Sequence, residues 1–321
     1  MANNPRDDDT TARTILSTVH AEARPWATSW FRSLRADGKS YRTIENYLAT
    51  VREFSAWCAA NDHPVAFASQ TPANVRQWIV EQLDDRSPTG PAVGTVVLRF
   101  RCLQQWFRWL VEEDELAVSP MAKMKAPKAT DERPVPVLTD EQLRALLHAT
   151  RGKDWMSRRD HAIIRLFIDS GMRLGEMVGI RVQDVDLEAQ VVLVVGKGAR
   201  HRIVPFGSKT AEALDRYERV RNTRPQANEP QWWLGTRGTI GHNGIAAMLQ
   251  ARADQAGIGH LHAHQFRHTA AHRWLKMGGT ESDLMRNAGW ANSAMLQRYG
   301  RSAAAERARE AHRRIAPGDS L

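Results

Sequence analysis

Four short segments in the second half of this 321-residue chain carry side chains with reactive potential. The first is Asp169-Ser-Gly-Met-Arg173-Leu-Gly-Glu176, an arginine just past a helix-stopping glycine. The second is Gly196-Lys197-Gly198, followed by Arg202-Ile-Val-Pro205. The third is His264-Gln-Phe-Arg267-His268-Thr269, and the fourth is Ala288-Gly-Trp290, then eight residues, then Tyr299. A planar guanidinium binds phosphate oxygens in pairs, and lysine and histidine move protons. A tyrosine hydroxyl attacks only once activated, because a pKa near 10 leaves ~0.1% ionised at pH 7. Each segment also has an ordinary reading: a surface arginine, a glycine-lysine turn, a chance His-x-x-Arg, a core tyrosine. The histidines offer a rival chemistry. His260, His262, His264, His268 and His272 are crowded, and the last three fall at i, i+4, i+8 on a helix, a spacing able to hold zinc. Against that, no carboxylate accompanies them, and Arg267 would place a positive charge inside the site.

These segments need elements to hold them. Residues from about 25 to 124 read as all helix. Ser40 is a candidate N-cap, and Ile44, Tyr47, Leu48, Val51, Phe54 and Cys58 follow at helical spacing. Leu98, Cys102, Trp106, Trp109 and Leu110 mark a second helix over about Thr95–Val111, and Thr71–Leu83 a shorter one. Trp57, Trp78, Trp106, Phe107 and Trp109 read as core at this spacing rather than as platforms for bases. Four prolines within Ser119–Pro136 read as extended. The second block opens on Thr139-Asp-Glu-Gln142, a capping box. Helices over about Arg159–Ser170 and Leu174–Gly179 follow, then β-rich runs Gln190–Val195 and Arg202–Phe206, and helical patterns from Asn243 onward. The expected fold is mainly α with a small β-sheet. It divides into a flexible tail (1–20), a helical domain (21–125), a linker (126–136) and a mixed α/β domain (137–321).

Lys+Arg is 45 and Asp+Glu 36, for a net charge of +9. That excess suits a polyanionic partner. Of the eight lysines, Lys123, Lys125 and Lys128 crowd the linker, where they would solvate it or lie along a phosphate backbone. Two lone cysteines, Cys58 and Cys102, make neither a disulfide framework nor a zinc motif. The N-terminus is polar with no secretory h-region, and no run of 18 apolar residues spans a bilayer. A cytoplasmic, nucleoid-associated protein is expected.

In order and spacing the four segments resemble the tyrosine recombinases, the group of phage integrases, Xer proteins and Cre. The resemblance covers about residues 25 to 315 and is most specific in the second block. The first block is similar to that family's helical core-binding domain by periodicity alone. The resemblance implies a site-specific recombinase or integrase that cleaves and rejoins DNA through a 3′-phosphotyrosine, with no ATP, metal or other cofactor. It makes Tyr299 the nucleophile, Arg173 and Arg267 the phosphate clamps, Lys197 the general acid and His264 the proton-handling histidine. Trp290 takes the final His/Trp position. Glu176 is expected to orient Arg173 or a neighbour, and His268 to be a hydrogen-bonded helix residue. Many members have Gly-His where this chain has Gly289-Trp290, although Cre also has tryptophan. Tryptophan transfers no proton at neutral pH, which leaves acid/base work to His264 and Lys197. DNA contacts are expected from Lys39, Arg42, Lys123, Lys125, Lys128, Arg200 and Arg202. The implied partners are a double-stranded DNA recombination site and further copies of the chain, as a tetramer on synapsed DNA. Ser302–Arg314 is then a C-terminal assembly helix. Little length precedes Pro25 for an arm-binding domain, which favours a simpler Xer-like or mobile-element enzyme. A type IB topoisomerase, which shares the chemistry but relaxes DNA without pairing two sites, is the alternative. A DNA-binding protein with a vestigial site is disfavoured by the complete set.

Overall fold

The computed structural model describes residues 5–85, 87–128, 136–196 and 201–290, with isolated positions 309, 312, 313, 316 and 319 beyond them. The chain divides into two compact units, residues 3–133 and 134–321. Among the described residues, no helix is long and apolar enough to cross a membrane.

The N-terminal unit is built from α1 (Pro5–Ser17), α2 (Arg24–Ala36), α3 (Tyr41–Ala60), α4 (Pro72–Asp84) and α5 (Val93–Glu112). Ser40 caps α3 by accepting from the Thr43 N–H, and Thr71 caps α4, with Pro72 at its first position. The long helices α3 and α5 pack together through Ile44, Leu48, Val51 and Phe54 on one and Phe100, Leu103, Trp106 and Phe107 on the other, all buried. Trp106 sits edge-on to Trp30 and Phe67, with ring centroids 4.9 and 4.7 Å away. These tryptophans are core. Two expectations change. Leu98 lies outside the core, 45% exposed. Residues 5–20 are not a loose tail: α1 packs on α3 and buries Ala12, Leu16 and Val19. Asp9 fixes this helix through ion pairs to Arg13 and, across to α2, Arg35.

The C-terminal unit contains α6 (Asp140–Ala149), α7 (Trp155–Ser170), α8 (Leu174–Gly179), strands β1 (Val185–Asp186), β2 (Val191–Val195) and β3 (His201–Pro205), then α9 (Ser208–Arg221), α10 (His242–Gln255), α11 (Ala263–Lys276) and α12 (Glu281–Ala288). The capping box at Thr139/Gln142 forms. The sheet is antiparallel in the order β1-β2-β3, with Val192 opposite Val204 and Val194 opposite Arg202. Alternation puts Val192, Val194 and Val204 inward and leaves Ile203 63% exposed. Helix α7 is the central pillar, packed on α9 and α11, with Phe167 stacked on Phe266 at 5.4 Å. Tyr217 is locked in this core: its hydroxyl donates to the Trp232 carbonyl at 3.1 Å and accepts from the Leu234 N–H at 2.9 Å. A smaller cluster of Ala271, Leu275, Leu284, Ala288 and Trp290 seats α12 on α11.

Candidate active site

The site begins where α7 ends. Gly171 takes a left-handed φ of 57°, terminating the helix and turning the chain into Met172 and Arg173. Arg173 stands at the N-cap of α8. Its backbone N–H donates to Glu176 Oε2 at 2.7 Å and its Nη1 to Glu176 Oε1 at 3.0 Å, while its side chain stays 44% exposed. The guanidinium is therefore anchored at one edge and open to solvent.

Glu176 is buried and has a second partner. Arg202 on β3 donates from Nη1 and Nη2 at 2.5 and 2.9 Å, a fork on the carboxylate. Burial alone would raise the Glu176 pKa. The Arg202 fork, the Arg173 N–H and both positive charges outweigh it and hold the carboxyl below its ordinary value. Arg202 Nε also donates to the Asn287 carbonyl at 3.1 Å, at the end of α12. Arg202, expected among the DNA contacts, is thus engaged with protein groups. Its side chain is 14% exposed and binds protein on both edges, so it is a brace joining α8, β3 and α12. Strand parity carried the signal, because Arg202 shares the inward face with Val204 and an inward arginine needs a buried carboxylate.

Arg267 on α11 is also buried. It donates from Nη1 to the Gly171 carbonyl at 3.0 Å and from Nη2 to the Ala288 carbonyl at 2.7 Å, with its guanidinium 5.2 Å from the Trp290 ring centroid. It thus ties the approach to Arg173 to the approach to Trp290. Gly289 turns the chain there with φ 64°, and a Cβ at that position would lie 3.1 Å from Arg202 Cδ. Trp290 is buried, and its backbone N–H donates to the Met285 carbonyl at 2.9 Å. His264 is exposed in the first turn of α11, its ring 5.0 Å from that of the buried His268.

Arg173, Glu176, Arg202, Arg267 and Trp290 thus form one connected network. Lys197 and Arg200, between β2 and β3 in the sequence, lie outside the described residues; Tyr299 and most of the stretch expected to form an assembly helix, all but positions 309, 312 and 313, also lie outside them. Lys39 and Arg42 are exposed at the start of α3, where Arg42 pairs with Glu45 at 3.5 Å; Lys123, Lys125 and Lys128 are exposed after α5. Among the described residues, no group of three histidine, cysteine or carboxylate side chains is placed to hold a metal ion.

Comparison with known proteins identifies the family of the chain. A model of the phage integrase family matches residues 136–306, more than half of the chain, and a phage integrase N-terminal SAM-like domain matches residues 26–116. The tyrosine recombinase XerC of Actinobacillus pleuropneumoniae serotype 7 is 35% identical over 230 residues, 71% of this chain and 72% of the relative. XerC of Corynebacterium efficiens is 28% identical over 264 residues, 82% and 81% of the two chains. Among solved structures, the XerH site-specific recombinase in a post-cleavage complex with palindromic difH substrate has a TM-score of 0.75, with 14% identity over 96% of this chain and 89% of that one. A lambda integrase dimer bound to a COC′ core site scores 0.66, with 16% identity over 91% and 80%. The family match and these relatives define the class: an enzyme that breaks and rejoins DNA strands. The chain belongs to the phage integrase family, the tyrosine recombinases. Its activity is site-specific DNA recombination.

Proposed function

We propose that this chain exchanges DNA strands between two sites by transesterification through Tyr299. The Tyr299 oxygen attacks the scissile phosphorus, a phosphotyrosine bond to the 3′-phosphate forms, and the bond to the 5′-oxygen breaks. His264 takes the tyrosine proton, and Lys197 protonates the leaving 5′-oxygen. Arg173 and Arg267 stabilise the charge on the non-bridging oxygens, and the Trp290 indole N–H bonds one of them. Rejoining is the reverse, with a 5′-hydroxyl of the exchanged strand as attacker. The protein works as a tetramer on two synapsed duplexes, in the cytoplasm and on the nucleoid. A lambda integrase tetramer bound to a Holliday junction, with a TM-score of 0.64 to this chain, supports that arrangement.

The observation that carries this reading is the network itself: Glu176 joins Arg173 to Arg202, and Arg267 bonds the carbonyls that precede both Arg173 and Trp290. Tyr217, buried with its hydroxyl used twice and its pKa pushed up to about 12 by burial, is unsuited as nucleophile. The two arginines take the part that a metal ion plays in other phosphoryl transfers.

Tyr299→Phe tests the proposal. It removes one oxygen, so DNA binding is expected to persist while the covalent adduct on a nicked suicide substrate disappears. Arg173→Ala is expected to slow adduct formation about 100- to 1,000-fold, and EDTA to leave wild-type cleavage intact. An adduct formed by Tyr299→Phe would overturn the nucleophile. Cleavage lost to EDTA but kept by Tyr299→Phe would make the histidine cluster a metal site. Strand exchange between two labelled duplexes is expected. Plasmid relaxation without exchange would assign the enzyme to the topoisomerases.

A further inference from the structure

A cavity of about 370 Å³ opens in the C-terminal unit beside α7 and α9, next to the 150–153 loop, and no residue of the recombination site lines it. Its wall carries Arg151, Lys153, Arg158, Arg165 and Arg216 around His161, and no carboxylate. The volume falls in the range of small-molecule sites, roughly 300–1,000 Å³. Such sites are mostly apolar, whereas five cations converge on this one.

The charges are poorly balanced from within. Glu212 pairs with Arg216 at 3.2 Å, and Glu212 and Asp169 are the carboxylates whose charge reaches Arg165. Asp154, next to Lys153 in sequence, is engaged in capping α7 through the Ser157 N–H. Among the described residues, no ion pair engages Arg151, Lys153, Arg158 or Arg165. Gathering five like charges around one hollow costs energy unless an anion offsets it.

One of the five is also held in place. Arg165 Nε donates to His161 Nε2 at 3.4 Å, so the His161 proton sits on Nδ1, facing Thr150 Oγ1 at 2.8 Å. Burial, with Arg165, Arg216 and Arg151 close by, pushes the His161 pKa down to about 4. The ring is therefore neutral at pH 7 and serves as an acceptor that aims the guanidinium.

We propose that this cavity is a second, non-catalytic ligand site that binds the di- or triphosphate group of a small molecule, with the half-buried Arg158 and Arg165 as its inner clamp and the exposed Arg151, Lys153 and Arg216 at its mouth. Two guanidinium forks and an ammonium match adjacent phosphates, which offer several oxygens within a few ångströms. The hollow is open to solvent on one side, and cations gathered around so small a volume suit a compact free oligophosphate better than a continuous duplex backbone.

The full-length chain is titrated calorimetrically at low salt with pyrophosphate and, separately, with a short duplex lacking a recombination site. Wild type is expected to bind pyrophosphate at one saturable site. Arg165→Gln should weaken that binding at least ten-fold. The double variant Arg151→Gln/Lys153→Gln, fully on the surface and harmless to folding, should do the same. Lys39→Gln/Arg42→Gln, in the other unit, should leave it unchanged. If the cavity variants weaken pyrophosphate and not the duplex, the ligand is a free oligophosphate. If they also lower the salt slope of duplex binding, and pyrophosphate competes with the duplex, the phosphate seat stands but its occupant is a DNA phosphate. No saturable pyrophosphate binding, or equal losses in the Lys39/Arg42 variant, would overturn the site.

Discussion

Glu176 decides the local charge balance around Arg173. A carboxylate so deeply buried is tolerated only because Arg202 and Arg173 donate to it. Truncating one partner of such a group leaves the other charge uncompensated, at a cost of about 3–5 kcal/mol. Glu176→Gln keeps the shape and one acceptor, so it is expected to destabilise the C-terminal unit by about 1–3 kcal/mol in denaturant titrations. The pH dependence has a definite sign. The folded carboxyl titrates below its ordinary value, so its stabilisation is complete above the unfolded pKa and is lost as pH falls through the lower, folded one. Wild type should therefore lose this contribution only in acid, and Glu176→Gln should show a shallower acid limb. An identical acid limb in both proteins would mean that the carboxylate is not paired as described. Tyr217 shows the same logic without charge: its hydroxyl satisfies two buried main-chain groups, so its place is in the core.

At the scale of elements, the junction of α7 with α11 ties Arg267 to the turn that leads into Arg173. Gly171 has a left-handed φ, and a Cβ there would stand 2.8 Å from Ala270 Cβ and 3.4 Å from Arg267 Cα. Gly171→Ala therefore combines backbone strain of about 1–2 kcal/mol with overpacking against α11. A lower melting temperature is expected, together with adduct formation slowed more than DNA binding, because Gly171 also supplies the carbonyl that holds Arg267. Ala270→Gly should cost less stability in the Gly171→Ala background than in wild type, since it removes the opposing methyl. Equal cost in both backgrounds would mean that close approach is not why glycine stands there. Gly171 as a helix stop, the Thr139 capping box and α8 were all legible, because each is a local signal of a few residues. Helix α1 was not, because the buried residues described in it are Ala12 and Leu16, with Val19 beyond its end, set among charged and polar residues of which Asp9 is paired with Arg35 from another helix. The same holds for the site. Arg173, Arg267 and Trp290 were legible as residue types in order, whereas the brace at Arg202 depends on Glu176 and Asn287, 26 and 85 residues away.

For the whole molecule, the question is where the +9 charge acts. Arginines dominate, 37 to eight lysines, and several are consumed internally: Arg159 and Arg252 bind Asp160, Arg221 holds four main-chain carbonyls between 227 and 232, and Arg202 holds Glu176. Net charge therefore overstates what is available to DNA. Exposed cations outside ion pairs are the better measure, and Lys123, Lys125 and Lys128 stand exposed within six residues of one another at the end of the N-terminal unit. If all three neutralise backbone phosphates, changing them together to alanine removes about 0.9 from the magnitude of the slope of log K against log salt for each lysine, or roughly 2.7 in all. The loss should be independent of DNA sequence, because phosphate contacts position the protein without reading bases. Binding isotherms of the triple variant over a salt series, on a recombination site and on unrelated duplex, measure both effects. An unchanged slope would remove these lysines from the interface. A loss confined to the recombination site would mean that they read sequence or shape rather than charge.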